Sequence, residues 1–453
     1  MLRLVTWLLN VVYLAVLVVS APLILWVAVR TGKYREGYSQ KLLGLVPRRD
    51  GDATCVWIHA VSVGEVNLMA TTIGRLRARH PNWQIVVSTT SRTGYELARK
   101  KYCDLAVFYC PLDFGWAVRT AMRRVRPNLL VLAELELWPN LILAAKGQGA
   151  RVAIINGRMS DTSFPGYRRI RPLVARLLRR IDLIATQNEE SADRFLALGT
   201  PAGRVQVTGS LKYDGAETDR HNPRTAALRQ LAGFSATDVV FLAGSTQEPE
   251  EQYAIDTYRR LSDSDSRLRL ILVPRHPERF DAVAQLLDAS GLAWQRRSEL
   301  NRKRDATPCA GDRRDSMGRR PILLVDTVGE LGAWWGTATI AFVGGSFGSR
   351  GGQNMIEPAA YGAAVSFGPN TWNFRDIVTA MLAADAAVVV RSESELEAFV
   401  RRSLVEPAYA AALGGRAQAL VQSQLGATER TIALIESLLP LRNASQSGGR
   451  SAA

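Results

Sequence analysis

Short runs of apolar, β-branched residues alternate with amphipathic stretches along most of this chain. From residue 54, CVWIHAVS predicts a strand and EVNLMATTIGRLRARH a helix. QIVVSTTS, LAVFYCP, LLVLAELEL, VAIING, LIATQN and VQVTGS follow as strands, each separated by a helical pattern. The runs are almost continuously apolar, as expected for parallel strands buried on both faces. Residues 214–237 are polar and predict a linker. A second alternation then supplies VVFLAGST, LRLILVPR, ILLVDT, TIAFVGG, AAVSFGP and AVVVRS as strands, with PEEQYAIDTYRRLS and NFRDIVTAMLAAD among its helices. Strict strand–helix alternation predicts an α/β fold of two doubly wound, Rossmann-like domains facing a cleft, with ligands at the strand C-termini. Residues 296–320 break the rhythm and predict a long surface loop, and residues 441–453 a flexible tail.

Ahead of these domains, residues 4–29 carry no charged side chain. Such a run is long enough to cross a hydrocarbon core of roughly 30 Å at about 1.5 Å per residue. It is too long for the apolar region of a signal peptide. Only Arg3 precedes it, whereas Arg30, Lys33, Arg35 and Lys41 follow, so the positive-inside bias keeps the remaining chain in the cytoplasm. The competing reading is a buried core helix. The expected organisation is therefore a membrane anchor at 1–30, a first domain at 31–215, a second at 216–440 and a tail at 441–453.

Charge narrows the partners. The formal net charge of +15 suits anionic lipid headgroups, phosphorylated substrates or nucleic acid. No zinc-finger spacing or aromatic–basic motif is present, so nucleic acid is not expected. Cys55, Cys103, Cys110 and Cys309 form no CxxC pair and read as reduced cytosolic thiols. The four histidines are scattered, and no metal site is expected. Asp263-Ser264-Asp265 has the form of a metal-binding DxD, yet it precedes a strand and reads as a helix-to-strand loop. YRRIRPLVARLLRRI, residues 167–181, predicts one basic amphipathic helix.

Candidate chemistry lies where strands run into helices. Glu65 falls in the first turn after CVWIHAVS, where the helix dipole favours an ionised carboxylate suited to a general base. The alternative is that Glu65 only caps its helix. Glu134 and Glu136 follow LLVLA, and a two-residue period points them the same way. Acids there are costly unless used or paired. Lys212 and Arg275 also stand at strand ends, where cations suit a phosphate. TIAFVGGSFGSRGGQNMIEPAAYG joins a strand, a Gly-rich loop and a helix beginning near Asn354. Its glycines allow backbone N–H groups to approach an anion, and Glu357 can accept from ribose hydroxyls.

The motifs HAVSVGE, ELWPN, QNEESADRFLALG, VTGSLKYD, LVPRHPERF, FVGGSFGSRGGQNMIEPA and GPNTWNFRD together resemble the 3-deoxy-D-manno-octulosonic acid (Kdo) transferases of lipid A biosynthesis. The resemblance runs from the apolar N-terminus to about Asp385. It implies an inverting, metal-independent glycosyltransferase of GT-B architecture. The donor would be CMP-Kdo, with no further cofactor. The acceptor would be a lipid A precursor of the lipid IV-A type, at the cytoplasmic face of the inner membrane. It implies Glu65 as catalytic base, with Glu134 and Lys212 stabilising the transition state. Pro274, Arg275, Val328, Gly329, Glu330, Asn354, Met355, Ile356 and Glu357 would bind the nucleotide. Gln353 and Val328 depart from the family pattern, which often has His and Met there. A sugar-nucleotide epimerase on the same plan and a non-catalytic membrane adaptor are the rival functions.

Overall fold

The computed structural model describes residues 2–31, 36–304 and 320–439. The chain divides into two compact units, Met1–Gly215 with Leu425–Ala453, and Ala216–Gln424.

The first unit is built on seven parallel strands: β1 Cys55–His59, β2 Gln84–Thr89, β3 Ala106–Tyr109, β4 Leu129–Ala133, β5 Arg151–Gly157, β6 Leu183–Thr186 and β7 Val205–Val207. Their order is β3-β2-β1-β4-β5-β6-β7. Alternate residues face opposite layers. Trp57, Leu130, Leu132, Val152 and Ile154 pack into one core, while Val56, Ile58, Leu129, Val131 and Ala153 pack into the other. This two-sided burial is why the strands read as continuous apolar runs. The strand order reverses between β1 and β4, and in open α/β sheets ligands bind beyond the strand ends at such a switch.

The second unit repeats the plan with β8 Val239–Thr246, β9 Leu268–Pro274, β10 Trp294–Arg296, β11 Ile322–Leu324, β12 Ile340–Val343, β13 Ala364–Phe367 and β14 Val388–Val389. The order is β10-β11-β9-β8-β12-β13-β14, with the switch between β8 and β12.

Several sequence expectations are corrected. The final helix, Ala427–Leu438, belongs to the first unit and not to a second domain running to 440. Its Ala427, Ile432 and Ile435, with Leu439, complete the layer beneath Val56 and Ile58. Asp214 accepts from the backbone N–H groups of Gly426, at 2.6 Å, and of Thr428. The polar linker at 214–237 contains a helix, Pro223–Leu231, which Asn222 caps by accepting from Thr225 N–H. Residues 167–181 form no single helix, because the chain breaks at Ile170 between Phe164–Arg169 and Arg171–Leu178. The expected loop at 296–320 begins with the end of β10 and a helix, Arg297–Arg304; residues 305–319, with Cys309, lie outside the described residues, as does the 441–453 tail.

Residues 2–31 form one helix, Leu2–Thr31. Among the described residues, however, no helix is long and apolar enough to cross a membrane. The expected spanning segment is not supported, and part of it docks on the first unit. Asn10 Oδ1 accepts from Gly115 N–H at 2.8 Å and from Asn140 Nδ2 at 3.3 Å, and the Tyr13 hydroxyl donates to Asp113 at 3.2 Å.

Candidate active site

In the first unit, Ser62 caps the helix Val63–Arg79, which leaves the end of β1. Its Oγ accepts from Glu65 N–H at 3.3 Å and donates to Glu65 Oε1 at 2.8 Å. Glu65 Oε2 accepts from Val61 N–H at 2.8 Å. This is a capping box, so Glu65 does cap its helix as the alternative reading held. The dipole argument for a readily ionised Glu65 is overturned. Burial raises its pKa, more than the hydrogen bonds from Val61 and Ser62 lower it, and the charge of Glu134 adds to the rise.

β4 stops at Ala133, so the two-residue period does not extend through Glu134 and Glu136. Glu134 turns the chain with φ 58°, while its N–H still reaches Ile155 O at 2.9 Å. Because β4 lies beside β1, Glu134 and Glu65 emerge at the switch point together. Glu136 is the third acid there. Burial raises its carboxyl to about 7, Trp138 opposes the rise by donating from Nε1 at 2.7 Å, and Glu65 and Glu134 reinforce it. The Trp138 ring meets His59 edge-on at 6.2 Å. His59 is fully buried at the end of β1, with Nδ1 2.9 Å from Ser88 Oγ, and burial lowers its pKa to about 4. Among the described residues, its Nε2 has no hydrogen-bond partner. Lys212 is half-buried in the loop after β7 and pairs with none of the three acids. Asn156, at the end of β5, tethers that loop by accepting from Leu211 N–H at 3.0 Å.

In the second unit, Pro274 ends β9, and Arg275 N–H donates to Thr246 O at 3.0 Å. Glu357 is the centre of a small group. Asn354 Nδ2 donates to it at 3.0 Å, and the charge of Arg275 favours its ionised form, although burial raises its pKa overall. The helix expected near Asn354 is short, Ile356–Ala360, and Asn354 Oδ1 accepts from Ile356 N–H at 3.1 Å. Met355 and Ile356 are buried, which leaves their backbone as the part able to meet a ligand. Val328 is 79% exposed, and Gly329 has φ 92°. Glu330 is already engaged, accepting from Arg297 at 3.0 and 2.8 Å and from the Thr327 hydroxyl at 2.8 Å. Gly332, in the helix Leu331–Trp335 that Glu330 begins, abuts Glu357.

The Gly-rich loop differs most from its sequence reading. Its first amides already hold an acidic side chain, the buried Glu250, whose pKa burial raises and these amides lower. Glu250 accepts from the N–H groups of Gln247 at 2.8 Å, Gly345 at 2.7 Å, Ser346 at 2.8 Å and Phe347 at 3.0 Å. A Cβ at Gly344 would stand 2.6 Å from Glu250 Oε2, so the close approach requires glycine. The acidic pair Glu250-Glu251 in PEEQY is the available signal, but carboxylates in the first turn are favoured at any helix start. Asp265 of the DxD triplet is taken by Arg267, as a loop carboxylate would be. Among the described residues, no group of three His, Cys, Asp or Glu is arranged to hold a metal ion.

Residues 32–215 match the family described as 3-Deoxy-D-manno-octulosonic-acid transferase (kdotransferase). A 3-deoxy-D-manno-octulosonic acid transferase of Haemophilus influenzae is 30% identical over 438 residues, covering 94% of this chain and 98% of that relative. The chain belongs to the Kdo transferase family. It is accordingly a glycosyltransferase, and Kdo transfer in lipopolysaccharide biosynthesis is the family's activity. A crystal structure of the C-terminal CMP-Kdo binding domain of WaaA from Acinetobacter baumannii is 28% identical, covering 44% of this chain and 96% of that chain with a TM-score of 0.38. The UDP-GlcNAc 2-epimerase of Neisseria meningitidis bound to UDP-GlcNAc shares the fold, with a TM-score of 0.54 at 13% identity over 85% of this chain and 100% of that chain. Two parallel-sheet α/β domains of the GT-B kind are common to epimerases and glycosyltransferases, so the sequence relatives, not the fold, distinguish this Kdo transferase family member from the epimerase rival.

Proposed function

We propose that this protein transfers Kdo from CMP-Kdo to a lipid A precursor of the lipid IV-A type, with inversion. Family membership supports the sugar, and the convergence of Glu65 and Glu134 at the switch point of the first sheet supports the chemistry. Glu65 accepts the proton of the attacking acceptor hydroxyl. That oxygen forms a bond to the anomeric carbon as the bond from this carbon to the phosphate oxygen breaks, and CMP leaves with the electron pair. Glu134 and Lys212 stabilise charge that develops in the transition state. Pro274, Arg275, the 328–330 turn and the 354–357 segment hold the nucleotide. The donor carries one phosphate, so cationic side chains suffice and no diphosphate–metal clamp is required. Turnover is therefore expected to survive chelation with EDTA, and rescue of a chelated enzyme by Mg²⁺ would contradict this.

The N-terminal helix holds the body at the cytoplasmic face of the inner membrane. Its exposed Val16, Val18, Val19, Leu23 and Trp26 support insertion of one face, while Asn10 and Tyr13 bind the protein. Incubation with CMP-Kdo and the lipid acceptor, with CMP release as readout, tests the reaction. CMP release without a glycosylated lipid, or turnover of UDP-GlcNAc instead, would refute it.

A further inference from the structure

A cavity of about 750 Å³ lies in the first unit between the N-terminal helix and the helices Gly115–Val125 and Pro139–Gly147. Such a volume is that of a small-molecule site. Four cations line it, Arg119, Arg123, Lys146 and Arg180, and no Asp or Glu does. Lys146 is paired with Asp182 at 2.7 Å, and Arg123 reaches only the Thr120 hydroxyl, at 3.4 Å. Among the described residues, Arg119 and Arg180 have no side-chain partner. Asn140, 2% exposed, also lines the cavity; its Oδ1, unpartnered among the described residues, is an acceptor and suits a headgroup hydroxyl, not the phosphate. The opposite wall carries Trp7 on the helix whose other positions expose apolar side chains. Unpaired guanidinium groups beside an apolar helix and an indole match a ligand that is anionic at one end and apolar at the other. Arginine binds phosphate oxygens in bidentate fashion, and Trp suits the boundary between headgroups and acyl chains.

We propose that this cavity binds the phosphate headgroup of an anionic membrane phospholipid, held by Arg119, Arg123 and Arg180. The proposal rests on the membrane reading of the N-terminal helix, and none of the residues lining the cavity is among those assigned above to catalysis or to the nucleotide. A bound headgroup would complete the wall that Asn10 begins, and would fix the helix against the segment that follows Glu134 and Glu136.

The test uses the full chain and sedimentation with phosphatidylcholine vesicles, with and without phosphatidylglycerol. The variant is Arg119→Ser/Arg123→Ser. Its control is Arg168→Ser/Arg169→Ser, which removes the same charge from exposed positions outside the cavity. The wild-type preference for phosphatidylglycerol should fall by about tenfold or more in the cavity variant, since each basic group near an anionic surface contributes a several-fold gain. The control should lose less than about threefold in moderate salt. Equal losses would overturn the site in favour of diffuse attraction. Wild-type binding to both vesicles without preference would overturn the headgroup site and leave the membrane reading standing. No binding to either vesicle would overturn the membrane reading itself. Displacement by soluble glycerophosphate as readily as by lipid would overturn the membrane as the source of the phosphate.

Discussion

At the residue scale, three carboxyl groups share one end of one sheet, and their surroundings set them apart. Glu65 has two hydrogen-bond donors but is buried beside Glu134, so its pKa is raised. A base works only when ionised, so turnover should decline on the acid side at a pH above the ordinary carboxylate range. Glu134→Gln removes a neighbouring negative charge and should move that decline to lower pH. Glu65→Gln should cut turnover by about 10²–10⁴-fold, the usual contribution of a general base, while leaving CMP affinity in place. Near-normal turnover of Glu65→Gln would reduce this residue to a helix cap. Glu136, raised to about 7, carries a proton at slightly acid pH and loses it just above neutrality. Turnover should therefore show an inflection near that pH. The Glu136→Gln profile should lack it. Trp138→Phe, which deletes the donor to the ionised form, should shift it upward. An inflection unchanged in both variants would assign it to another group.

At the element scale, the Gly-rich loop owes its shape to an acid from a different strand–helix connection. Glu250→Ala would leave the buried N–H groups of Gly345 and Ser346, and the half-buried one of Phe347, without their acceptor. Each orphaned buried donor costs about 1–3 kcal/mol, so urea denaturation should register a loss of roughly 3 kcal/mol or more in the second unit. CMP affinity, measured by calorimetry, should fall with it, because the loop leads into Asn354 and Glu357. A stable variant with unchanged affinity would mean the loop keeps its form without the staple. The glycines of this loop were evident in the sequence, but their partner was not. A carboxylate at the first residue of a helix looks the same whether it faces solvent or four amides.

At the scale of the whole molecule, the last helix closes a unit that begins far upstream. Truncation after Gln424 would strip Ala427, Ile432, Ile435 and Leu439 from the layer against Val56 and Ile58. Fully burying one large aliphatic side chain contributes about 1.5–3 kcal/mol, so the first unit should lose several kcal/mol. The second unit, residues 216–424, should keep its folding transition and its CMP binding. Separate thermal transitions for the two units would measure this. A truncation that weakened only the second unit would contradict the division of the chain.

The one-dimensional pattern was enough to specify two parallel α/β sheets, because strands buried on both faces must be apolar at every position and the helices between them must be amphipathic. It also placed Glu65, Glu134, Lys212 and Arg275 where strands end, since a polar residue after an apolar run marks the point where the chain leaves the core. Only the tertiary structure decided which strand ends are neighbours. The switch between β1 and β4 unites Glu65 with Glu134, and strand order follows from packing, not from any local signal. It also decided the direction in which the Glu65 pKa moves, upward, because desolvation depends on everything packed around the group while the helix dipole is local. The occupant of the glycine loop, the docking of Asn10 and Tyr13, and the return of the final helix are likewise contacts between distant segments, which no window of sequence contains.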